Sequence, residues 1–407
     1  MSEGAAVAVD PPRSPAGGSH RRLLFVLAAI SAFGPLTTDV YLPGLPGLAR
    51  DLGTGATAAQ LTLTACVIGL ALGQLFIGPL SDMTGRRRPL LSCLGVFTVA
   101  SLGCAAAPSL PLLIGARFVQ GAAGAGGIVI ARAMVRDIFA GDAAARAYSN
   151  LSAIVTAGPV FAPLLGALIL LFSDWRGVFV ALALIGVLLV LLVLFLTAET
   201  LPPESRKAHA VSDTLRNVGV LLRHRHYLGY VLAGAFGFGT MFAYISASSF
   251  VYQDVFGTSA QLYSVLFATN GLALMAANVL NGRLVGRIGQ RPLLRRGLTG
   301  LVVGSTAIAV AAIAGAGAAA ILPLLAFTVA SLGFVVANSL ALAMAGEPAR
   351  AGAASALFGL FQFGVGAAIA PLVGVAGTSA IPMGIAMATS ALLAVASFLF
   401  LAREEPS

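Results

Sequence analysis

Two side chains in this sequence stand where charge is costly. Asp39 is the only acidic residue inside a long apolar run, and Arg117 is the only basic residue deep within one. A charge at mid-bilayer costs on the order of 2.5–3.5 kcal/mol on insertion scales, so an intramembrane acid is a functional candidate by default. Desolvation favours the neutral acid, so Asp39 is expected to take up and release a proton. The plainer reading is an interfacial Asp, because Pro43 and Pro46 follow closely. At 1.5 Å per residue, Arg117 falls roughly 10 Å from the outer end of its run and Asp39 roughly 6 Å from the outer end of its own. The two are expected at comparable depth, where they pair or compete for a proton. Gln120, Gly121 and Gly124 follow Arg117 at i+3, i+4 and i+7, a small, polar face suited to a cavity wall. The plainer reading of Arg117 is a structural hydrogen bond to helix-end carbonyls.

The runs that hold these residues dominate the chain. Apolar residues make up 58% and charged residues 10% of its 407 positions, against about 25% charged in a soluble domain. With a mean hydropathy of +0.95, the chain cannot cover itself with polar surface, and lipid must be its solvent. Runs of about 20 apolar residues give twelve expected spans. Six lie at 23–43, 58–80, 89–107, 110–133, 147–172 and 178–198. Six more lie at 227–251, 262–284, 293–314, 318–345, 353–376 and 381–401. The expected division is a disordered tail at 1–20, an N-terminal half at 21–198, a polar linker at 199–226, a C-terminal half at 227–402 and a short tail at 403–407. Arg21-Arg22 before an apolar stretch resembles a signal peptide, but the many spans that follow favour an uncleaved first helix.

The net charge of +9 is not that of a nucleic-acid binder. Its arginines cluster in the tails and in alternate loops, at Arg86-Arg87-Arg88, Arg132/Arg136/Arg146, 206–225 and 283–296, while the intervening loops are poor in them. This bias places both termini in the cytoplasm and excludes a nucleic-acid partner, leaving membrane lipid as the basic surface's neighbour. The three cysteines lie in apolar runs and read as packing, not as disulfides or metal ligands. The four histidines lie in the tail or the central loop, away from any path across the membrane.

A short pattern occurs twice, almost half a chain apart. Gly78, Leu80, Gly85 and Arg87 of the first copy recur as Gly282, Leu284, Gly289 and Arg291. Such a repeat between apolar runs implies two similar halves, the organisation of transporters built by duplication. Gly78 allows helices to approach, Gly85 supplies a turn with φ > 0, and Asp82 is placed to cap or to pair with Arg86. In the second copy Asp82 and Arg86 are replaced by Gly286 and Gln290, so charge pairing is expected only in the first.

Together, the six-plus-six pattern and the Gly-x-Leu-x-Asp-x-x-Gly-Arg-Arg loop resemble the major facilitator superfamily. The implied fold is an all-α membrane protein of twelve transmembrane helices in two pseudo-symmetric halves. The resemblance further implies that Asp82 and Arg86, with Asp137 at the end of the fourth helix, form a cytoplasmic latch of the outward-facing state. Arg117-Phe-Val-Gln120-Gly121 resembles the superfamily's fourth-helix motif, whose Arg is linked to proton coupling. Gly158-Pro159 and Gly166 fit the antiporters' fifth-helix motif, with Ala162-Pro163 in place of its glycine pair. Thr38-Asp39-Val-Tyr41-Leu-Pro43, Asp174-Trp175-Arg176, Glu199-Thr-Leu-Pro-Pro203, Leu222-Arg-His-Arg-His226 and Phe250-Val-Tyr252 resemble the Bcr/CflA drug-efflux family over about residues 22–402.

That resemblance implies proton-coupled export of a small amphipathic drug or antibiotic, of the bicyclomycin or chloramphenicol kind, across the cytoplasmic membrane. No cofactor is expected beyond the proton gradient, no metal, and a monomer. The expected lining of a central cavity is Tyr41, Gln120, Phe242, Tyr244, Asn270, Asn278, Asn338 and Gln362, each amide being alternatively a helix–helix hydrogen bond. A metabolite or sugar transporter of the same superfamily, importing rather than exporting, is the alternative. The sequence lacks HExxH, a nucleophile elbow and a phosphate loop, which speaks against an enzyme.

Overall fold

In lipid every backbone polar group must be satisfied within its own segment, so uninterrupted apolar runs become helices. The computed structural model describes residues 17–402 except 140, 376 and 378, and the regular structure among them is entirely helical. The tails at 1–16 and 403–407 lie outside the described residues, and 17–20 open the first helix. Fifteen α-helices follow in order. The first three are α1 (Gly17–Ser31), α2 (Phe33–Asp39) and α3 (Leu45–Asp51), which form one broken span. Next come α4 (Ala56–Thr84), α5 (Arg87–Ala105), α6 (Leu110–Ile138), α7 (Gly141–Ile169) and α8 (Trp175–Leu196). After a connecting helix α9 (Ala210–Leu221) come α10 (Arg225–Phe250), α11 (Ala260–Ile288), α12 (Gln290–Ile313), α13 (Ala318–Ala345), α14 (Ala351–Val375) and α15 (Ala380–Leu401). Among the described residues twelve helices are long and apolar enough to cross a membrane. Twelve crossings return the chain to the side where it began, here called the basic side for its arginine-rich loops; the other is the far side.

The first span differs from expectation in a way that matters for Asp39. It does not stop at Pro43 but runs from Arg22 to Asp51. Pro43 and Pro46 each sit in the first turn of a new helical segment, where a missing N–H costs nothing. Asp39 therefore lies twelve residues, about 18 Å, from the span's far end. It is an interior residue, not an interfacial one.

Lipid gives helices no hydrophobic reason to associate, so contact comes from close packing at small residues. A Cβ on Gly121 of α6 would stand 1.9 Å from the Cys66 carbonyl oxygen of α4, and one on Gly69 of α4 would stand 2.2 Å from that of Phe118. The two backbones touch. The small face beside Arg117 is thus a helix contact, where a cavity wall was expected.

Between the halves, α4 packs on α14 and α7 on α11, the second and fifth spans of one half on the fifth and second of the other. Four side-chain hydrogen bonds between described residues join the halves, and all lie toward the far side. Ser249 Oγ donates to the Leu42 carbonyl (2.6 Å) and Gln253 Nε2 to that of Pro43 (3.0 Å). Thr57 Oγ1 donates to the Gly374 carbonyl (2.7 Å) and Gln60 Nε2 to that of Ser246 (2.9 Å). The Leu42 carbonyl accepts the Leu45 N–H as well, and the Ser249 hydroxyl takes the place of the α-helical donor that Pro46, four residues on, lacks.

Candidate functional site

Asp39 and Arg117 are brought to one level of the membrane but onto opposite faces of one helix. Arg117 is fully buried. Its Nη1 donates to the Thr37 carbonyl (2.9 Å) and to Gln120 Oε1 (2.5 Å), and its guanidinium lies 4.2 Å from the centroid of the Tyr41 ring. The Phe179 ring of α8 lies on its other flank at 5.5 Å. Thr37 and Tyr41 are four residues apart and share a face; Asp39, midway between them, projects about 200° away. The expected Asp39–Arg117 pair is therefore absent among the described salt bridges. Arg117 Nε and Nη2 are buried with no hydrogen-bond partner, an arrangement whose cost is held down by the two aromatic faces.

Asp39 is 4% exposed, and its neighbour is α7. A Cβ on Gly158 would stand 2.2 Å from Pro35 Cβ, and one on Gly166 would stand 1.8 Å from the Val40 carbonyl oxygen. These two glycines clamp α7 onto the turns just before and after Asp39, so the fifth-helix motif and the intramembrane acid form one unit. Pro159 meets Gly271 of α11, which extends the contact to the other half.

The expected cavity residues divide into two groups. Gln120 is enclosed, its Oε1 accepting from Arg117 and its Nε2 donating to Ser101 of α5 (2.7 Å). It braces Arg117 rather than lining a cavity. Tyr41, Phe242 and Tyr244 are buried; the Phe242 ring packs on Gly366, and Tyr244 stacks on Phe267. Asn270 Nδ2 donates to Tyr244 Oη (2.8 Å) and Asn338 Nδ2 to Asn281 Oδ1 (2.7 Å). These amides act as helix ties. Asn278 and Gln362 remain partly exposed.

At the basic side, Arg86 is 2% exposed and stands among three acceptors. Its Nη1 pairs with Asp82 Oδ1 (2.6 Å) and donates to Ser81 Oγ (2.7 Å), while its Nε and Nη2 meet the two oxygens of Asp137 (2.8 and 3.3 Å). Burial opposes its charge, but Asp137 and Asp82 outweigh that and raise its affinity for the proton. Gly85 has φ +96° and Gly289, its repeat partner, +85°, values that an L side chain rarely adopts. Arg87 Nη2 donates to the Leu194 carbonyl at the end of α8, and Arg291 Nη2 mirrors it on that of Ala402. The ion pairs of the cluster all lie within the N-terminal half.

Glu199 stands in the sequence only as part of the family pattern; its capping role is what sequence reasoning missed. Its carboxylate accepts from the backbone N–H groups of Arg86 (2.7 Å) and Arg87 (3.2 Å), at the start of α5, and from those of Thr200 and Leu201. Desolvation works to raise its pKa, but these four donors outweigh it and hold the carboxyl below its usual range. The bond is therefore complete at neutral pH and is lost only as pH falls through that lowered value. Thr200 Oγ1 donates to Asp137, and Lys207 N–H to the Asp82 carbonyl, so the linker is stitched to the cluster. Glu199→Gln should destabilise the protein by about 1 kcal/mol, the loss of one helix cap, and should expose 199–207 to proteolysis. Unchanged thermal unfolding and unchanged cleavage would remove Glu199 from this role.

The C-terminal half holds a different cluster. Glu347, after α13, accepts from His224 Nδ1 and from Arg350 Nη1 (3.0 Å). Burial would raise its pKa, but His224 and Arg350 outweigh it and hold it low.

Twelve spans in two halves joined at second and fifth helices, with an ion-paired loop after the second span, define a secondary transporter. The chain belongs to the Major Facilitator Superfamily, whose family model matches residues 25–371. It is 39% identical to the uncharacterized MFS-type transporter YdgK of Bacillus subtilis (strain 168), over 96% of this chain and 98% of that one. It is 31% identical to a bicyclomycin resistance protein homolog of Haemophilus influenzae, over 93% and 95% of the two chains. Among solved structures it is similar to a bacterial homolog of the human lysosomal transporter Spinster, inward-facing and unoccupied. That match has a TM-score of 0.74 at 17% identity and covers 95% of this chain and 97% of the other. At this identity the likeness speaks for the fold. The protein is a multi-pass membrane transporter with drug-resistance proteins among its relatives.

Proposed function

We propose that this transporter exports a small amphipathic drug or antibiotic across the cytoplasmic membrane in exchange for protons. The observation that carries the reading is Asp39, a buried acid with no counter-ion among the described residues, on a turn clamped by α7. A lone carboxylate at that depth is sustained best as the neutral acid, so its two protonation states favour different packings of the turn. With the basic side in the cytoplasm, the hydrogen-bonded seal between halves faces outward, and no side-chain hydrogen bond among the described residues joins the halves at the opposite end. Alternating access then requires the halves to rock, breaking these four bonds, with Asp39 exchanging its proton with the medium outside. Asp82, Arg86 and Asp137 are paired here while the outward end is sealed, so they do not latch the outward-facing state alone, as the resemblance implied; they hold α4, α5 and α6 in register.

The direct test is wild-type protein in inverted vesicles carrying an imposed pH gradient. Adding chloramphenicol should produce proton release that tracks drug uptake into the vesicle. Drug movement with no accompanying proton release would overturn the exchange, and uptake in the reverse direction would overturn export.

A further inference from the structure

Three arginines crowd the basic end of α6, and two are answered by acids. Arg86 lies between Asp82 and Asp137, and Arg136 Nη2 stands 3.6 Å from Asp82. Arg132 forms no salt bridge among the described residues. It lies six residues, about 9 Å, inside the end of α6 and is nevertheless exposed.

An exposed cation at that depth faces either lipid or an aqueous opening, and the packing of α6 decides between them. Ile128 meets Gly34 of α2, and Val129 meets Gly78 of α4. At about 100° per residue, Arg132 projects between those two directions, roughly 40° past Ile128 and 60° short of Val129. Its carbonyl accepts from Tyr148 of α7 (3.1 Å). Helices of its own half therefore flank it, and two of them, α4 and α7, are the helices that pack on the other half. Beyond Val119 the only exposed residues of α6 are Arg132 and Arg136. A lipid-facing stretch would expose apolar side chains, as Leu112, Phe118 and Val119 do nearer the far side. Since the bonds between halves all lie toward the far side, the opening that Arg132 faces is reached from the basic side.

Building on the export reading above, we infer that Arg132 is a substrate-recognition residue at the loading mouth, and that the preferred cargo carries a carboxylate or comparable anionic group on an apolar body. A guanidinium with no acid partner among the described residues retains its donors for an incoming ligand, and it offers a carboxylate two parallel hydrogen bonds. The charge that Arg132 presents to an entering molecule is positive, and the deeper cation, Arg117, is fully buried. Asp39, the one deep acid, is almost wholly covered. A permanently cationic compound meets repulsion along this path, and an anionic one meets attraction.

The experiment compares two dyes of similar size, fluorescein (a carboxylate) and a cationic rhodamine ester, in proteoliposomes with an imposed pH gradient. Wild type should show the lower apparent KM for fluorescein. Arg132→Gln should raise the fluorescein KM about tenfold relative to the rhodamine, the loss of one charge-assisted contact. Arg132→Lys should recover most of it. Arg223→Gln, which removes an exposed linker charge, should leave the ratio unchanged. An unchanged ratio in Arg132→Gln, or an equal shift in Arg223→Gln, overturns the inference. If wild type moves neither dye, the export reading has failed for them, and fluorescein binding to the purified protein, followed by anisotropy, decides the matter separately. Binding weakened about tenfold by Arg132→Gln supports Arg132; equal binding, or none by wild type, rejects it.

Discussion

Asp39→Asn is expected to end concentrative transport while leaving a folded protein that still exchanges its substrate. Asparagine has the shape of the neutral acid and suits the buried turn between Gly158 and Gly166, so insertion and packing should survive. What it cannot do is release a proton. One proton moving down a gradient of one pH unit supplies about 1.4 kcal/mol, which sustains about a tenfold accumulation of substrate. Wild type in vesicles with a one-unit gradient should therefore reach about tenfold accumulation per proton exchanged, and Asp39→Asn should stop at equality. Counterflow, in which labelled drug exchanges for unlabelled without a gradient, should persist in the variant. If the variant still concentrates drug, Asp39 is not the carrier. If counterflow is lost as well, the residue is needed for the movement itself.

Arg86→Gln should be the most destabilising single change at the basic side. It leaves Asp82 and Asp137 facing a neutral amide, with only Arg136 within 3.6 Å of Asp82. Removing one partner of a buried ion pair costs about 3–5 kcal/mol, because the remaining charge is uncompensated. Thermal unfolding in detergent should fall accordingly, and transport should fall with it. Asp137→Asn in the Arg86→Gln background removes one of the two stranded carboxylates. The double variant should be the more stable of the two. A double variant no better than Arg86→Gln alone would show that the cost arises from lost packing, not stranded charge.

The spans were legible because lipid imposes one solution on a long apolar run, and the halves were legible because the loop at Gly78–Arg87 repeats at Gly282–Arg291. Depth was readable in part, since rise per residue is fixed, but the end of the first span was not. Pro43 and Pro46 look like terminators, and only the tertiary structure makes them first-turn residues. Which way Asp39 points was beyond reach, because it depends on the phase of α2 against α6 and α7. The same holds for Gln120 and Gly121, whose types suit a cavity wall and a helix contact equally well. Glu199 escaped because its cap joins residues 113 positions apart, and no local pattern announces a bond of that range.

Every acceptor in the seal at Leu42, Pro43, Ser246 and Gly374 is a main-chain carbonyl, and every donor is a hydroxyl or an amide. None of these groups titrates in the range that a living cell encounters. No bond of the seal is therefore made or broken by protonation. Were the far side to face the medium as proposed, acid there would leave all four bonds intact.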